Sequence, residues 1–228
     1  MHPASVYVII PCYNEDPAVL RATLQNVLQE GYRLVLVDDG SVRPPAAACD
    51  GLPVHLLRHP VNLGQGAALQ TGMDYALQQG AAWLVHFDAD GQHRAADIAA
   101  LLQPLEEGRA DVALGSRFLG KQSNGVPLLK RVLIFAARYV NYLFTGILLT
   151  DAHNGLRAFG RTAAEKIRIT ENRMAHASEL LFLVKKHRLR YCEVPVTVMY
   201  TPYARNKGQS AWNSIRIFFD LLLHKLFS

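Results

Sequence analysis

Five short apolar runs rich in β-branched residues, separated by stretches long enough for helices, constrain this chain more than any other feature. They are Val6 to Ile10, Leu34 to Val37, Val54 to Leu57, Trp83 to Phe87 and Asp111 to Leu114. Between them, 17–30, 66–79 and 95–107 carry apolar residues at helical spacing, as at Leu69, Met73, Ala76 and Leu77. Near-continuous apolar strands alternating with helices predict an α/β fold with a mostly parallel, Rossmann-like sheet covered on both faces. In such sheets ligands bind outside the carboxyl ends of the strands. There the chain puts its polar punctuation: "PCYNE", "DDGS", "NLGQG" and "DADGQH" follow the first four runs in turn. Turn chemistry alone accounts poorly for four such loops at one edge.

The fourth loop is the most informative. Residues i and i+2 of an extended chain project to the same side, so Asp88 and Asp90 are expected to face one point. Two carboxylates that close repel, and a divalent cation relieves the repulsion. Asp90 with Gln92 offers the hard oxygen ligands that Mg²⁺ or Mn²⁺ accepts while leaving positions for phosphates, with Asp88 binding the metal through water or holding the ribose. The rival reading is a turn or a helix cap. Asp39 divides in the same way, between a capping residue and a carboxylate that holds a ribose hydroxyl or a base N–H. Asn14, Glu15 and Asp16 suit a helix start before Pro17, and Tyr13 suits stacking on a base. The "GQGAAL" stretch lacks the third glycine of the dinucleotide fingerprint, which disfavours a nicotinamide enzyme. Gly66 is better used for close backbone packing and for a helix amino terminus open to phosphates.

The chain has 228 residues, half of them hydrophobic, and no linker, repeat or low-complexity tract divides it, so one domain over 1–228 is expected. A net charge of +5 without a Lys/Arg block argues against a nucleic-acid partner. Cys12, Cys49 and Cys192 have neither disulfide nor zinc spacing, and no basic-then-apolar leader opens the sequence, so a cytoplasmic location is expected. His93, His153 and His176 lack zinc-site spacing and are read as structural. Two stretches, 128–149 and 211–228, are apolar but interrupted by polar stripes: Arg131, Arg138, Asn141 and Thr145 in one, Asn213, Arg216, Asp220 and His224 in the other. They suit interfacial helices, hence a peripheral protein on the inner face of the cell membrane. The competing uses are burial against the core, a homodimer interface, or a small integral membrane partner.

Pro11 to Glu15, Asp38 to Ser41, Asn62 with Gly64 to Gly66, Asp88 to His93, and Gly115-Ser116-Arg117 form an ordered set. It continues through Asp151 to Arg157, Glu193 to Val196 and Arg205 to Ser210. The set resembles the family 2 glycosyltransferases, close to the polyprenyl-phosphate (dolichol-phosphate) sugar transferase branch. The resemblance implies a GT-A fold, a nucleoside-diphosphate sugar donor and Mg²⁺ or Mn²⁺. It implies a donor-binding half (1–117), an acceptor half (118–210) and a C-terminal amphipathic helix (211–228). The donor-binding set is then Pro11, Tyr13, Asn14, Glu15, Asp39, Asn62, Gly66 and Asp88. Ala211 stands where family members often carry lysine, with Lys207 nearby.

Chemistry supplies the remaining roles. Breaking a sugar–phosphate bond puts charge on the leaving diphosphate, which calls for a metal and cationic donors. Arg117 and Arg205 are the candidate clamps. A hydroxyl acceptor needs a general base, with Glu179 the first choice and Asp151 the second, whereas a phosphate acceptor is already anionic. The expected function is metal-dependent transfer of a sugar to a lipid-linked acceptor, a polyprenyl phosphate or lipid-linked sugar, in cell-surface polysaccharide or glycan synthesis. The alternative is a silent nucleotide-sugar-binding subunit of a membrane assembly. An intact acidic pair together with Glu179 and Arg205 favours catalysis.

Overall fold

The computed structural model describes residues 5–120, 138–139, 142–143, 146–151, 154–172 and 175–199. The two amphipathic stretches lie largely outside these, and Arg205 wholly so. The elements run β1 (Val6–Cys12), α1 (Pro17–Gln29), β2 (Arg33–Asp38), α2 (Ala46–Cys49), β3 (Val54–Arg58), α3 (Gln65–Gln78), β4 (Trp83–His86), α4 (Asp97–Glu106) and β5 (Val112–Ser116). They continue with β6 (Arg157–Gly160), α5 (Arg161–Lys166), α6 (His176–Lys186) and β7 (Tyr191–Pro195).

All seven strands join one sheet in the order β3-β2-β1-β4-β6-β5-β7. Every pairing is parallel except those of β6, which runs antiparallel to both β4 and β5. The strand alternation of two sorts the core cleanly. Tyr7 and Ile9 of β1 join Val35, Val37, Leu84 and Phe159 on the face covered by α3, α5 and α6. Val6, Val8 and Ile10 join Leu34, Leu36 and Val85 on the face covered by α1, α2 and α4. Both faces of the central strands are therefore apolar, and the runs read as continuous rather than alternating.

Local signals set the helix starts. Asp16 caps α1 by accepting from the Ala18 and Val19 N–H groups at 2.9 and 3.1 Å, with Pro17 in the first turn. At the start of α3 Gly64 has φ +108°, open to glycine and strained for other residues.

Strand β6 was not anticipated as a strand. "RAFG" has no β-branched residue and is only four residues long. Its direction has a consequence for the site: because β6 is reversed, its beginning, not its end, lies at the edge where β4 and β5 terminate. Arg157 pairs with His86 on one side and Leu114 on the other. Asp151 and residues 154–156 before it are thereby delivered to the carboxyl edge.

Helix α3 approaches β1 and β2 through Gly72, where an added Cβ would lie 2.3 Å from Ile9 Cγ2 and 3.3 Å from Val37 Cγ2. Gly72→Val should lower unfolding stability by about 1–3 kcal/mol through overpacking. Urea denaturation checks this, and an unchanged midpoint would show that the α3–sheet contact yields more easily than the distances imply.

Candidate active site

The loops after β1, β2 and β3 are stitched to one another. The Asn14 N–H donates to Ser41 Oγ at 2.9 Å, and Asn14 Oδ1 accepts from the Val42 N–H at 2.9 Å. Asn14 holds φ +49°, in the left-handed region that asparagine tolerates better than most residues. Gly40 at φ +72° lets the second loop touch the third, since a Cβ there would lie 2.4 Å from the Val61 carbonyl carbon.

Asp39 is buried and organises the third loop. Its Oδ1 accepts from the Leu63 N–H (2.9 Å) and faces His59 Nδ1 (2.8 Å), while Oδ2 accepts from the Gly64 N–H (2.7 Å). Pro11 is buried at the end of β1, Glu15 is half-buried, and Tyr13 and Asn62 are exposed on the rim.

Gly66 is held tightly. Its N–H donates to the Asn172 carbonyl at 2.8 Å, and a Cβ would sit 2.0 Å from the Glu171 carbonyl oxygen. The close packing expected of this glycine is present. The open helix terminus is not, because the 171–172 segment covers the Gly66 N–H.

The acidic pair sits on the loop after β4, close together for a different reason than strand alternation. Strand β4 ends at His86, and Ala89 and Asp90 already form a turn, so the turn brings the carboxylates together. Asp90 Oδ1 accepts from the Gln92 N–H (3.0 Å), and Oδ2 from the Gln92 amide nitrogen (2.6 Å). Asp88 accepts from Gln65 Nε2 at 3.3 Å and meets His93 Nε2 at 3.2 Å. Gly155 lies against it so closely that a Cβ would fall 2.0 Å from Asp88 Oδ2.

The electrostatics separate the two acids. Burial works against the charge on Asp88, but the His93 hydrogen bond, with the positive charge of His93, Arg157 and His176, outweighs it and holds the carboxyl below its ordinary range. Burial and the neighbouring Asp88 push Asp90 above that range, offset in part by Gln92. Arg157 is buried under both Asp88 and Asp151; burial lowers it to about 10, still a cation at neutral pH, and its Nε donates to the Asn154 carbonyl at 2.9 Å. His86 is fully enclosed, and burial with nearby Arg157 and His176 holds it well below its usual value, so it is neutral. A carboxylate pair and a carboxamide are hard oxygen donors of the kind Mg²⁺ and Mn²⁺ prefer. Among the described residues no three His, Cys, Asp or Glu side chains converge as a closed metal site. Two protein carboxylates that leave the remaining positions to phosphates and water fit Mg²⁺ chemistry better than a closed cage.

Arg117, just past β5, is fixed by Asp151, whose Oδ2 accepts from the Arg117 N–H (3.1 Å), Arg117 Nε (2.6 Å) and Asn154 Nδ2 (3.2 Å). Asp151 thus anchors an arginine. Glu193 of β7 secures this segment in turn: Oε1 accepts from the Thr150 N–H (2.8 Å), Thr150 Oγ1 (2.7 Å) and the Asp151 N–H (3.2 Å). Glu179 lies in the first turn of α6 with its carboxylate engaged by the Thr170 N–H and hydroxyl and by the Glu171 N–H at 2.8 Å. It holds the 170–171 segment that covers α3.

His59, His93, Arg157 and Glu193 were given no site role by sequence reasoning. Glu193 and Arg157 carried a usable signal, since both fall in the ordered motif set. His93 falls in that set too, as the last residue of its fourth motif, but its residue type alone reads as structural; His59 lies outside the set and carried no signal.

Residues 7–168, well over half of the chain, match the model for glycosyl transferase family 2. A UDP-N-acetylglucosamine–dolichyl-phosphate N-acetylglucosaminyltransferase of Methanococcus voltae is 31% identical over 97% of this chain and 96% of its own length. A polyprenol monophosphomannose synthase of Mycolicibacterium smegmatis is 34% identical over 70% of this chain and 63% of its own. Among solved structures, glucosyl-3-phosphoglycerate synthase from Mycobacterium tuberculosis, crystallised with Mn²⁺, UDP and glucosyl-3-phosphoglycerate, superposes with a TM-score of 0.63 at 17% identity, covering 89% of this chain and 75% of that one. That likeness establishes the GT-A fold, and the family match with the two relatives establishes that this chain is a glycosyltransferase of family 2.

Proposed function

We propose that the protein transfers a sugar from a nucleoside-diphosphate sugar to a polyprenyl phosphate on the inner face of the cell membrane, using Mg²⁺ or Mn²⁺. The observation that carries this reading is the meeting at one sheet edge of the Asp88/Asp90 pair and the Asp151-anchored Arg117. Asp90, Asp88 and Gln92 would hold the cation, which supplies charge neutralisation to the leaving diphosphate. Arg117 aims a fixed cation at the same group. Pro11 at the end of β1, the loops bearing Tyr13, Asn14, Glu15, Asp39 and Asn62, and Gly66 in the first turn of α3 take the nucleoside. Segment 197–199 supports a role for Arg205: the Met199 N–H donates to the Gln92 carbonyl at 2.8 Å, so the chain leaves for Arg205 from beside the acidic loop.

The sugar–diphosphate bond breaks with its electron pair going to the nucleoside diphosphate, and an acceptor phosphate oxygen forms the new bond to the anomeric carbon. An anionic oxygen needs no base to remove a proton, which agrees with Glu179 and Asp151 being occupied in holding backbone and arginine. The two relatives, one named as a dolichyl-phosphate N-acetylglucosaminyltransferase and the other as a polyprenol monophosphomannose synthase, favour this acceptor over a hydroxyl. Among the described residues no helix is long and apolar enough to cross a membrane. The peripheral location rests on 128–149 and 211–228 as interfacial helices.

Transfer of radiolabelled sugar from UDP- and GDP-sugars to a short-chain polyprenyl phosphate, with Mn²⁺ or excess EDTA, tests the function. Asp90→Asn is expected to leave the fold intact and to reduce transfer on the order of 10²-fold or more. Equal wild-type activity in EDTA would remove the metal from the scheme.

The acidic pair also sets a pH dependence. Because Asp90 keeps its proton to higher pH than an ordinary carboxylate, a cation must displace that proton. Mn²⁺ affinity should be full above the Asp90 value and fall about tenfold per pH unit below it. Asp88, held low, stays charged through that window. Calorimetric titration of Mn²⁺ across the acid range, with Asp90→Asn flattening the profile, is the check.

Flotation with anionic liposomes tests the location, comparing the full chain with one ending at Gln209. Loss of flotation on truncation is expected. If neither chain floats and a water-soluble acceptor is glycosylated equally well without lipid, the membrane reading fails.

A further inference from the structure

Asp39 is joined to a buried side-chain relay that the sugar-transfer scheme leaves unused. His59 Nδ1 lies 2.8 Å from Asp39 Oδ1, and His59 Nε2 lies 2.9 Å from Thr71 Oγ1 on α3. Asp39 and His59 are both buried. An ionised carboxylate can only accept, so Nδ1 carries the hydrogen; in the neutral ring Nε2 then accepts from the Thr71 hydroxyl. The ring is held at both ends, and it holds Asp39 in turn.

A carboxylate offers about four acceptor positions. On Asp39 three are used: His59 and the Leu63 N–H on Oδ1, and the Gly64 N–H on Oδ2. The remaining position is on Oδ2. The loops that meet at Asp39 expose apolar side chains, with Tyr13 at 42%, Val42 at 83%, Val61 at 59% and Leu63 at 42%. One fixed acceptor beneath an exposed apolar rim suits a flat heterocycle that presents a donor.

We propose that His59, backed by Thr71, is the positioning residue that locks Asp39 with a single acceptor on Oδ2, so that the site selects donor bases carrying a ring N–H. Uracil and guanine present that hydrogen. Cytosine and adenine in the same pose turn a bare ring nitrogen toward the carboxylate, leaving two acceptors face to face. The inference rests on Asp39 being a donor-binding residue. Without the ring, Oδ1 loses a donor, the carboxylate is free to turn, and both affinity and discrimination fall. His59 acts through Asp39 and touches no reacting atom.

The test is calorimetric binding of UDP, GDP, CDP and ADP, each with Mn²⁺, to the full chain and its variants, with thermal unfolding confirming the fold. Wild type should bind UDP or GDP at least about tenfold more tightly than CDP and ADP. His59→Leu should lose about tenfold or more of that affinity and most of the ratio. His59→Asn places an amide N–H near the Nδ1 position and should restore affinity to within about threefold. Thr71→Val, which keeps the ring but removes its anchor, should show a smaller loss of the same sign.

Four outcomes overturn the proposal. One is a wild type with no preference for ring N–H bases. The second is a folded His59→Leu that keeps both affinity and ratio. The third is a Thr71→Val that keeps both while His59→Leu fails to fold. The fourth is a His59→Asn that falls as far as His59→Leu. Asp39→Asn separates the levels: if it too leaves UDP and GDP binding unchanged, the donor-binding reading of Asp39 fails and the inference with it. If Asp39→Asn weakens binding and the His59 variants do not, only the positioning role is lost.

Discussion

The site depends on one strand running the wrong way. In a parallel sheet each strand presents only its carboxyl end to the ligand edge, and the segments that enter strands are spent on the opposite side. The reversal of β6 between β4 and β5 brings an entering segment to the ligand edge instead. That segment carries Asp151, Asn154, Gly155 and Arg157. From it come the anchor of Arg117, the surface against which Asp88 is pressed, and the buried cation under both acids. A parallel strand at this position would have left Asp88 and Arg117 as ends of unrelated loops.

Charge balance in the cluster follows from the same arrangement. An isolated buried guanidinium would be strongly penalised by desolvation, and so would two buried carboxylates. Placed together, Arg157 and the two acids offset one another, while neutral His86 fills the space behind without adding charge. At Asp90 the positive charge of His93 and the Gln92 hydrogen bonds pull the carboxyl down, but burial and the neighbouring Asp88 outweigh them, so it is pushed upward where Asp88 is held low.

How much of this was legible in the sequence differs by element. Strands β1 to β5 and helices α1, α3 and α4 begin and end within two residues of their apolar runs, because hydrophobic periodicity is a local signal and these elements are buried on the faces it marks. Strands β6 and β7 were not, since "RAFG" and "YCEVP" carry Arg, Gly, Glu and Pro where a strand pattern is expected. In the site, Asp88, Asp90 and Arg117 stood out by residue type and loop position. Their supports did not: Glu193 lies 43 residues from Thr150, and His59 20 from Asp39. Such contacts are fixed by sheet order and register, which no local pattern encodes. Glu179 shows the converse failing. Its residue type made it the first choice for a general base, and its carboxylate is engaged by the backbone of 170–171.

The return of the chain after β7 carries a thermodynamic consequence. Val198 bridges to His93, Met199 bonds to Gln92, and the Thr197 N–H donates to Asp97 at 2.7 Å, so the exit from the sheet is laced to the acidic loop at two successive residues and to the first residue of α4 at the one before them. Two binding events that strain or relax the same ladder are linked, and linkage is reciprocal. If the acidic loop holds nucleotide and cation as proposed, whatever engages the chain beyond Met199 and tightens that hold must itself be held more tightly, by the same factor, when nucleotide and cation are bound. Loading at one end of this ladder and anchoring at the other are then two readings of a single equilibrium.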